Sequence, residues 1–211
     1  MEGVLDENDH IAEHVNHHMT HHGVLVVNEM GAPGVGKTTT LKNIVKHLEM
    51  KPYVIEGDIE SDIDTVALNE LGIETHQINT HGECHLDAPM IDHMVDHMNF
   101  DEKGILFIEN IGNLVCPAEF DTGACLDVTI LSVPEGDDKP LKYPLMYEKC
   151  DILIVSKIDV LPYFNFDTEK VVANARMRNP KIDVIFVSAK TGDGMDELAA
   201  KIEKRVREWQ E

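Results

Sequence analysis

Basic side chains are scarce in this chain. Lysine and arginine number 18 against 39 aspartates and glutamates in 211 residues, a formal net charge of −21. A field of that sign repels phosphate backbones and anionic lipid surfaces, which argues against nucleic acid and membrane as partners; it attracts cations. Long apolar runs are missing as well, since none approaches the roughly 20 residues needed to cross a bilayer. The opening residues, Met1-Glu2-Gly3-Val4-Leu5-Asp6-Glu7, lack the basic-then-apolar pattern of a secretory signal, so a cytoplasmic location is expected. Cysteine is sparse at four residues. In a reducing compartment Cys84, Cys116, Cys125 and Cys150 read as thiols or metal ligands rather than disulfides. Cys125 and Cys150 adjoin apolar runs and read as core. Internal repeats and low-complexity linkers are also wanting. Histidine, by contrast, is plentiful: of 12, six (His10, His14, His17, His18, His21 and His22) fall within thirteen consecutive residues.

What is present is ordered as alternating strands and helices. Apolar runs at 24–27, 53–55, 105–108, 128–133, 152–155 and 184–187, with a weaker one from Ile73 to Ile78, read as buried strands. Helical patterns occupy 38–50, 60–71, 86–99, 168–178 and 194–209, and residues 5–22 read as an extra helix ahead of the first strand. Irregular structure is expected at 79–85, 111–125 and 134–148. Short buried strands separated by helices imply an α/β fold: a mostly parallel sheet between two helical layers. Residues 1–22 form a histidine-rich helical extension and 23–211 a single nucleotide-binding unit.

Gly31-Ala32-Pro33-Gly34-Val35-Gly36-Lys37-Thr38 is a complete G-x-x-x-x-G-K-T phosphate-binding loop, set between the strand at 24–27 and a helix opening at Thr39. Glycines let successive N–H groups converge on phosphates, Lys37 reaches the β- and γ-phosphates, and the Thr38 hydroxyl suits Mg²⁺. The fold is therefore that of a P-loop NTPase. Ser156-Lys157-Ile158-Asp159 ends a later strand and resembles the N-K-x-D guanine motif. The Asp159 carboxylate can accept from guanine N1–H and N2–H₂, a donor pair adenine lacks, while the Lys157 stem packs over the base. Ser156 stands where Asn is usual. Ser188-Ala189-Lys190, about 30 residues on, resembles a second base-contacting motif, S-A-K. Together they favour GTP.

Glu109-Asn110-Ile111-Gly112 stands where GTPases carry D-x-x-G. Glu109 can approach Mg²⁺, and Gly112 can offer its N–H to the γ-phosphate, tying this loop to nucleotide state. Asp58, at the end of the second strand, is a candidate for Mg²⁺ or for orienting water; a helix N-cap is the alternative. Cys84-His85 and Cys116 lie on two loops at one edge of the sheet and form an N/S set for Ni²⁺ or Zn²⁺. Three ligands leave a four-coordinate site open to water or a second subunit. His10, His14, His18 and His22 are successive i,i+4 neighbours, a spacing that can present imidazoles to one cation or form a solvated polar face. His93 and His97 are a further such pair.

The P-loop, E-N-x-G-N (Glu109 to Asn113), E-C-H-L-D-A (Glu83 to Ala88), N-L-V-C-P (Asn113 to Pro117), E-G-D-D (Glu135 to Asp138) and S-K-x-D together resemble the HypB family of hydrogenase-maturation GTPases, over about residues 5–209. The resemblance implies a GTP-hydrolysing metallochaperone that inserts nickel into [NiFe]-hydrogenase, working with the hydrogenase large subunit and accessory maturation proteins. It further implies a GTP-dependent homodimer with metal held near the interface by Cys84, His85 and Cys116, and Lys142 at a basic position facing the partner's nucleotide. The N-terminal C-x-x-C-G-C motif of some members does not occur; the histidine cluster stands in its place. With no arginine in the candidate switch segments, slow intrinsic turnover is expected. The related urease GTPases, UreG, carry C-P-H, whereas Cys116-Pro117 here runs into Ala118. A third reading makes the histidine helix a nickel store with vestigial nucleotide binding.

Overall fold

Every strand in the sheet runs the same way, so each connection must cross over a face and cover it. The computed structural model describes residues 2–58 and 63–209; of Glu2, Asp58, Ile63 and Asp64 it describes the backbone alone. In chain order the elements are α1 (Glu2–His22), β1 (Val24–Gly31), α2 (Lys37–Ile44), β2 (Lys51–Asp58), α3 (Ile63–Glu70), β3 (Glu74–Asn79), α4 (Ala88–Val95), β4 (Gly104–Glu109), β5 (Leu126–Ser132), α5 (Lys139–Lys142), α6 (Pro144–Lys149), β6 (Ile152–Ser156), α7 (Thr168–Arg178), β7 (Asp183–Phe186) and α8 (Met195–Trp209). The seven strands stand in the order β3-β2-β4-β1-β5-β6-β7. All residues of β1, β4 and β6 are buried, which is why these strands read as continuous apolar runs. Alternate side chains feed two layers. Leu41 and Ile44 of α2, Leu68 of α3, and Leu198 and Ile202 of α8 share one core. On the opposite face α1 and α4 cover β1, β2 and β4, and α6 and α7 cover β5 and β6. The expected three-layer P-loop architecture is the one observed.

Helix α1 belongs to this packing. Ala12, Val15 and Met19 recur at helical spacing and are at most 2% exposed. Asn8 ties the helix down at both sides, donating to the Asp121 carbonyl and accepting from the Ala88 amide, each at 3.0 Å.

Three boundaries differ from the sequence expectation. Helix α2 ends at Ile44 instead of reaching residue 50: the Lys46 and His47 amides bond the Asn43 and Ile44 carbonyls in tighter turns (3.1 and 2.9 Å), and beyond them the Glu203 carboxylate on α8 accepts from the Glu49 and Met50 amides (2.6 and 2.8 Å). Helix α4 begins at Ala88, where the Asp87 side chain accepts from the Met90 amide and Pro89 fits the first turn. The segment 134–148, expected to be irregular, holds α5 and α6, each with a proline in its first turn, too short to show a periodicity.

A buried polar line crosses the sheet below the carboxyl ends of the strands. Asn110 Nδ2 donates to the Asn28 side-chain oxygen at 3.1 Å, and Asn28 Nδ2 donates to the Asp127 carboxylate at 2.9 Å. Burial pushes the Asp127 carboxyl up to about 7, against the pull of the Asn28 hydrogen bond and with the help of Asp121 and Asp151. An unfolded aspartate titrates near ~3.9. The folded chain therefore holds this proton more tightly, and the resulting stability is lost as pH rises from about 4 through 7. Asp127→Asn keeps an acceptor for Asn28 and removes the charge. In urea unfolding it should match the wild type near pH 4 and gain ~2–4 kcal/mol at pH 8; an equal gain at both pH values would contradict this account.

Candidate nucleotide and metal site

The central strand β1 delivers the phosphate loop at its carboxyl end, where ligands of open parallel sheets sit. Gly36 (φ 103°) turns the chain into α2 in a conformation open to glycine, and Lys37 and Thr38 open the helix. A cavity of about 560 Å³ follows, with Gly34, Lys37, Thr38, Glu109, Lys157 and Asp159 in its wall. Val35, Gly36, Thr39, Ala189 and Lys190 also face it. The Lys37 ammonium lies across the loop, 3.4 Å from both the Gly31 and Ala32 carbonyls. The Thr38 hydroxyl donates to Glu109 Oε1 at 2.7 Å. That pair is an all-oxygen donor set of the kind Mg²⁺ prefers.

Carboxylates concentrate at this point. Register places Glu56 of β2 beside Glu109 of β4, and Glu109 beside Glu29 of β1, so three glutamates stand in one row on the α2 face. All three are buried. Burial raises the Glu29 carboxyl well above the usual range, Glu109 and Glu56 raise it further, and Lys37 opposes them. Glu29 lies inside an apolar strand with no motif to mark it, and its position became visible only through the register.

At the other end of the cavity two strands present base-recognition groups. Ser188 donates to Asp159 Oδ1 at 2.8 Å, and Lys190 lies 3.8 Å from Oδ2, so the S-A-K segment orients the aspartate. Lys157 adopts a left-handed backbone and stretches over the phosphate loop to the Gly34 carbonyl at 2.9 Å. Ser156, which stands in place of asparagine, donates to the Val35 carbonyl at 3.1 Å, tying β6 to the phosphate loop.

From Glu109 the chain runs across the phosphate loop to Cys116. Gly112 packs so closely on Pro33 that a Cβ there would lie 2.9 Å from the Pro33 Cα. The Asn113 amide donates to the Gly31 carbonyl at 3.1 Å, and its side chain donates to Cys116 Sγ at 3.5 Å. Opposite, Cys84 Sγ lies 3.7 Å from His85 Nδ1, and the His85 ring stacks on Phe120 at 3.9 Å between centroids. Ligand atoms of Cys84, His85 and Cys116 all lie within 4.8 Å of one another, the one such triple of His, Cys, Asp or Glu among the described residues. A hydrogen bond with Cys84, and then burial, raise the Cys116 thiol pKa. A thiol so held keeps its proton until a cation displaces it. Asn113 and Phe120 carried no role from sequence; Asn113 lay within two quoted motifs, but its contacts depend on where the loop folds.

Other candidates stand apart. Asp58 ends β2, and its side chain lies outside the described residues. Lys142 sits on α5, paired at 2.6 Å with Asp138 and away from the cavity wall. His14, His18 and His22 form a ladder along α1 with centroid spacings of 5.9 and 5.0 Å, and His14 contacts Asp92 of α4. His10 is exposed on the same helix, and His93 pairs with His97 on the next surface, 4.6 Å between rings. Cys150 is fully buried and Cys125 half-buried, and burial pushes both thiols up to about 12.

Comparison with known proteins agrees with this geometry. Residues 23–186 match the family model described as CobW/HypB/UreG, nucleotide-binding domain. The hydrogenase maturation factor HypB of Escherichia coli K12 is 45% identical over 196 residues, covering 92% of this chain and 68% of that protein. The crystal structure of HypB from Helicobacter pylori in complex with nickel superposes with a TM-score of 0.91 at 36% identity, covering 97% of each chain. HypB from Archaeoglobus fulgidus superposes with a TM-score of 0.88 at 35% identity, covering 96% of this chain and all of that one. Among the described residues no helix is long and apolar enough to cross a membrane. With a phosphate loop on its central strand and a Cys-His-Cys triple above it, the chain belongs to the CobW/HypB/UreG family of nucleotide-binding proteins and, within it, to the HypB hydrogenase maturation factors.

Proposed function

We propose that this protein is a GTP-hydrolysing nickel metallochaperone that delivers Ni²⁺ during [NiFe]-hydrogenase maturation. One observation carries the reading: the loop that rests on the phosphate loop at Gly31 and Pro33 also bears Cys116, within reach of Cys84 and His85. A group that moves with nucleotide state thereby alters a metal site. Zn²⁺ suits the same donors, and titration with both ions decides between them.

In this reading Asp159 selects guanine and Lys157 covers the base. Lys37 leaves the Gly31 and Ala32 carbonyls for the phosphate oxygens. Thr38 and Glu109 hold Mg²⁺, which when bound neutralises charge on the β- and γ-phosphates. Asp58 orients the attacking water. The protein acts as a GTP-dependent homodimer in which Lys142, released from Asp138, faces the partner's nucleotide. Residues 23–211 make up the GTPase unit, and residues 1–22 add a histidine face that gathers cations. The hydrogenase large subunit and accessory maturation proteins receive the metal.

Nickel titration of the wild type and Cys116→Ala, each with GDP and with a slowly hydrolysed GTP analogue, tests the core of the proposal. The wild-type affinities should differ between nucleotides, and Cys116→Ala should weaken binding by at least the ~10–100-fold that outer-sphere changes cost metal sites. Equal wild-type affinities would sink the switch, since a ligand with no preference between states shifts no equilibrium. For Asp159→Ala, loss of two hydrogen bonds to a charged acceptor should cost GTP affinity about 10²–10³-fold and leave ATP affinity nearly unchanged. Lys37→Ala should abolish phosphate release from GTP, and turnover persisting in that variant would remove the GTPase assignment.

A further inference from the structure

We infer that Asn110 is a positioning residue that couples the nucleotide-sensing loop to the Cys84-His85 half of the metal site. The inference rests on the nickel-switch reading and extends it to the second metal-bearing loop. That loop makes none of the contacts by which Asn113 ties Cys116 to the phosphate loop.

Asn110 follows Glu109 directly and is 1% exposed. Its side-chain oxygen accepts two backbone N–H groups at once: Ile111, at 2.9 Å, and Leu86, at 3.0 Å. Ile111 is the residue before Gly112, which packs on the phosphate loop. Leu86 is the residue after His85. One oxygen thus holds the root of the nucleotide-sensing loop and the root of the metal-bearing loop, which lie 24 residues apart in sequence. The other end of the side chain is fixed, since Nδ2 donates to Asn28 of the central strand, which is itself held by Asp127. The Asn110 amide donates to the Glu29 carbonyl at 2.9 Å.

Packing reinforces the shared oxygen. Leu86 and Ile111 both abut Gly57 of β2, where an added Cβ would meet Leu86 at 2.9 Å and Ile111 at 3.1 Å. Neither residue can slide inward past that strand. Both N–H groups belong to buried residues, so withdrawing the acceptor from either would leave a donor unpaired away from water. When triphosphate draws Gly112 toward the γ-phosphate, Ile111 and the Asn110 oxygen shift together, and the Leu86 amide follows. His85 and Cys84 then change position relative to Cys116. The link is contiguous, and coupling through it requires that nucleotide and metal each favour one position of the shared oxygen.

Hydrogen exchange and nickel titration on the full chain test the link. On exchanging GDP for a slowly hydrolysed GTP analogue, wild-type protection should change both in 110–116 and in 83–88. In Asn110→Ala the change in 110–116 should persist while 83–88 ceases to respond. The ratio of Ni²⁺ affinities between the two nucleotide forms should fall toward one, from a coupling of about 5–150-fold. Asn110→Asp keeps an acceptor oxygen for both amides and loses the Nδ2 donor to Asn28; it should retain the response of 83–88, and loss of that response there would show that the shared oxygen does not suffice as the link. A nucleotide response of 83–88 that survives in Asn110→Ala would overturn the inference. Equal Ni²⁺ affinities in the wild type would overturn the switch reading instead, and the exchange response of 83–88 would still decide the role of Asn110.

Discussion

The contact between Gly112 and Pro33 is the constraint on which the rest of the site depends. It allows no side chain between the phosphate loop and the segment that follows β4. From that contact the Asn113 amide reaches the Gly31 carbonyl, and three residues later Cys116 arrives beside Cys84 and His85. Interiors packed this tightly do not deform continuously, and a small displacement at one end is carried to the other or is resisted outright. The phosphate cradle and the thiol-imidazole cluster therefore share a wall.

The two ends of that wall differ in chemistry. Below it stand hydroxyl and carboxylate oxygens, with Glu56, Glu109 and Glu29 in one register row and Lys37 as the compensating charge. Above it stand two thiols and an imidazole. Hard cations prefer the first set and borderline-soft ones the second, so Mg²⁺ and a transition ion need not compete for one place. The two donor types are thus kept apart on either side of one wall.

Much of this was legible in the residues. Strands β1, β4 and β6 are buried on both faces and appear as unbroken apolar runs, and the phosphate loop announces itself by spacing. Strand β3 read weakly because it lies at the sheet edge and Ile78 is its one apolar residue, among Glu74, Thr75, His76, Gln77 and Asn79. Helices α5 and α6 span four and six residues and cannot display a period, although Pro140 and Pro144 mark their starts. Cys84, His85 and Cys116 could be named because few residue types bind such metals. Asn110, Asn113 and Glu29 could not be given roles, since an amide or a carboxylate acquires one only from the neighbours that topology brings to it.

Helix α1 divides its duties by face. Ala12, Val15 and Met19 are committed to the core, and Asn8 pins the helix to the Asp121 carbonyl and the Ala88 amide. Five of its six histidines point to solvent, with His18 half-buried. The inner face is answerable to folding and the outer face is not, so imidazole number can vary there as freely as the tint of a coat of paint. Exchanging those exposed imidazoles for other polar side chains therefore leaves the buried seam of Ala12, Val15 and Met19 untouched.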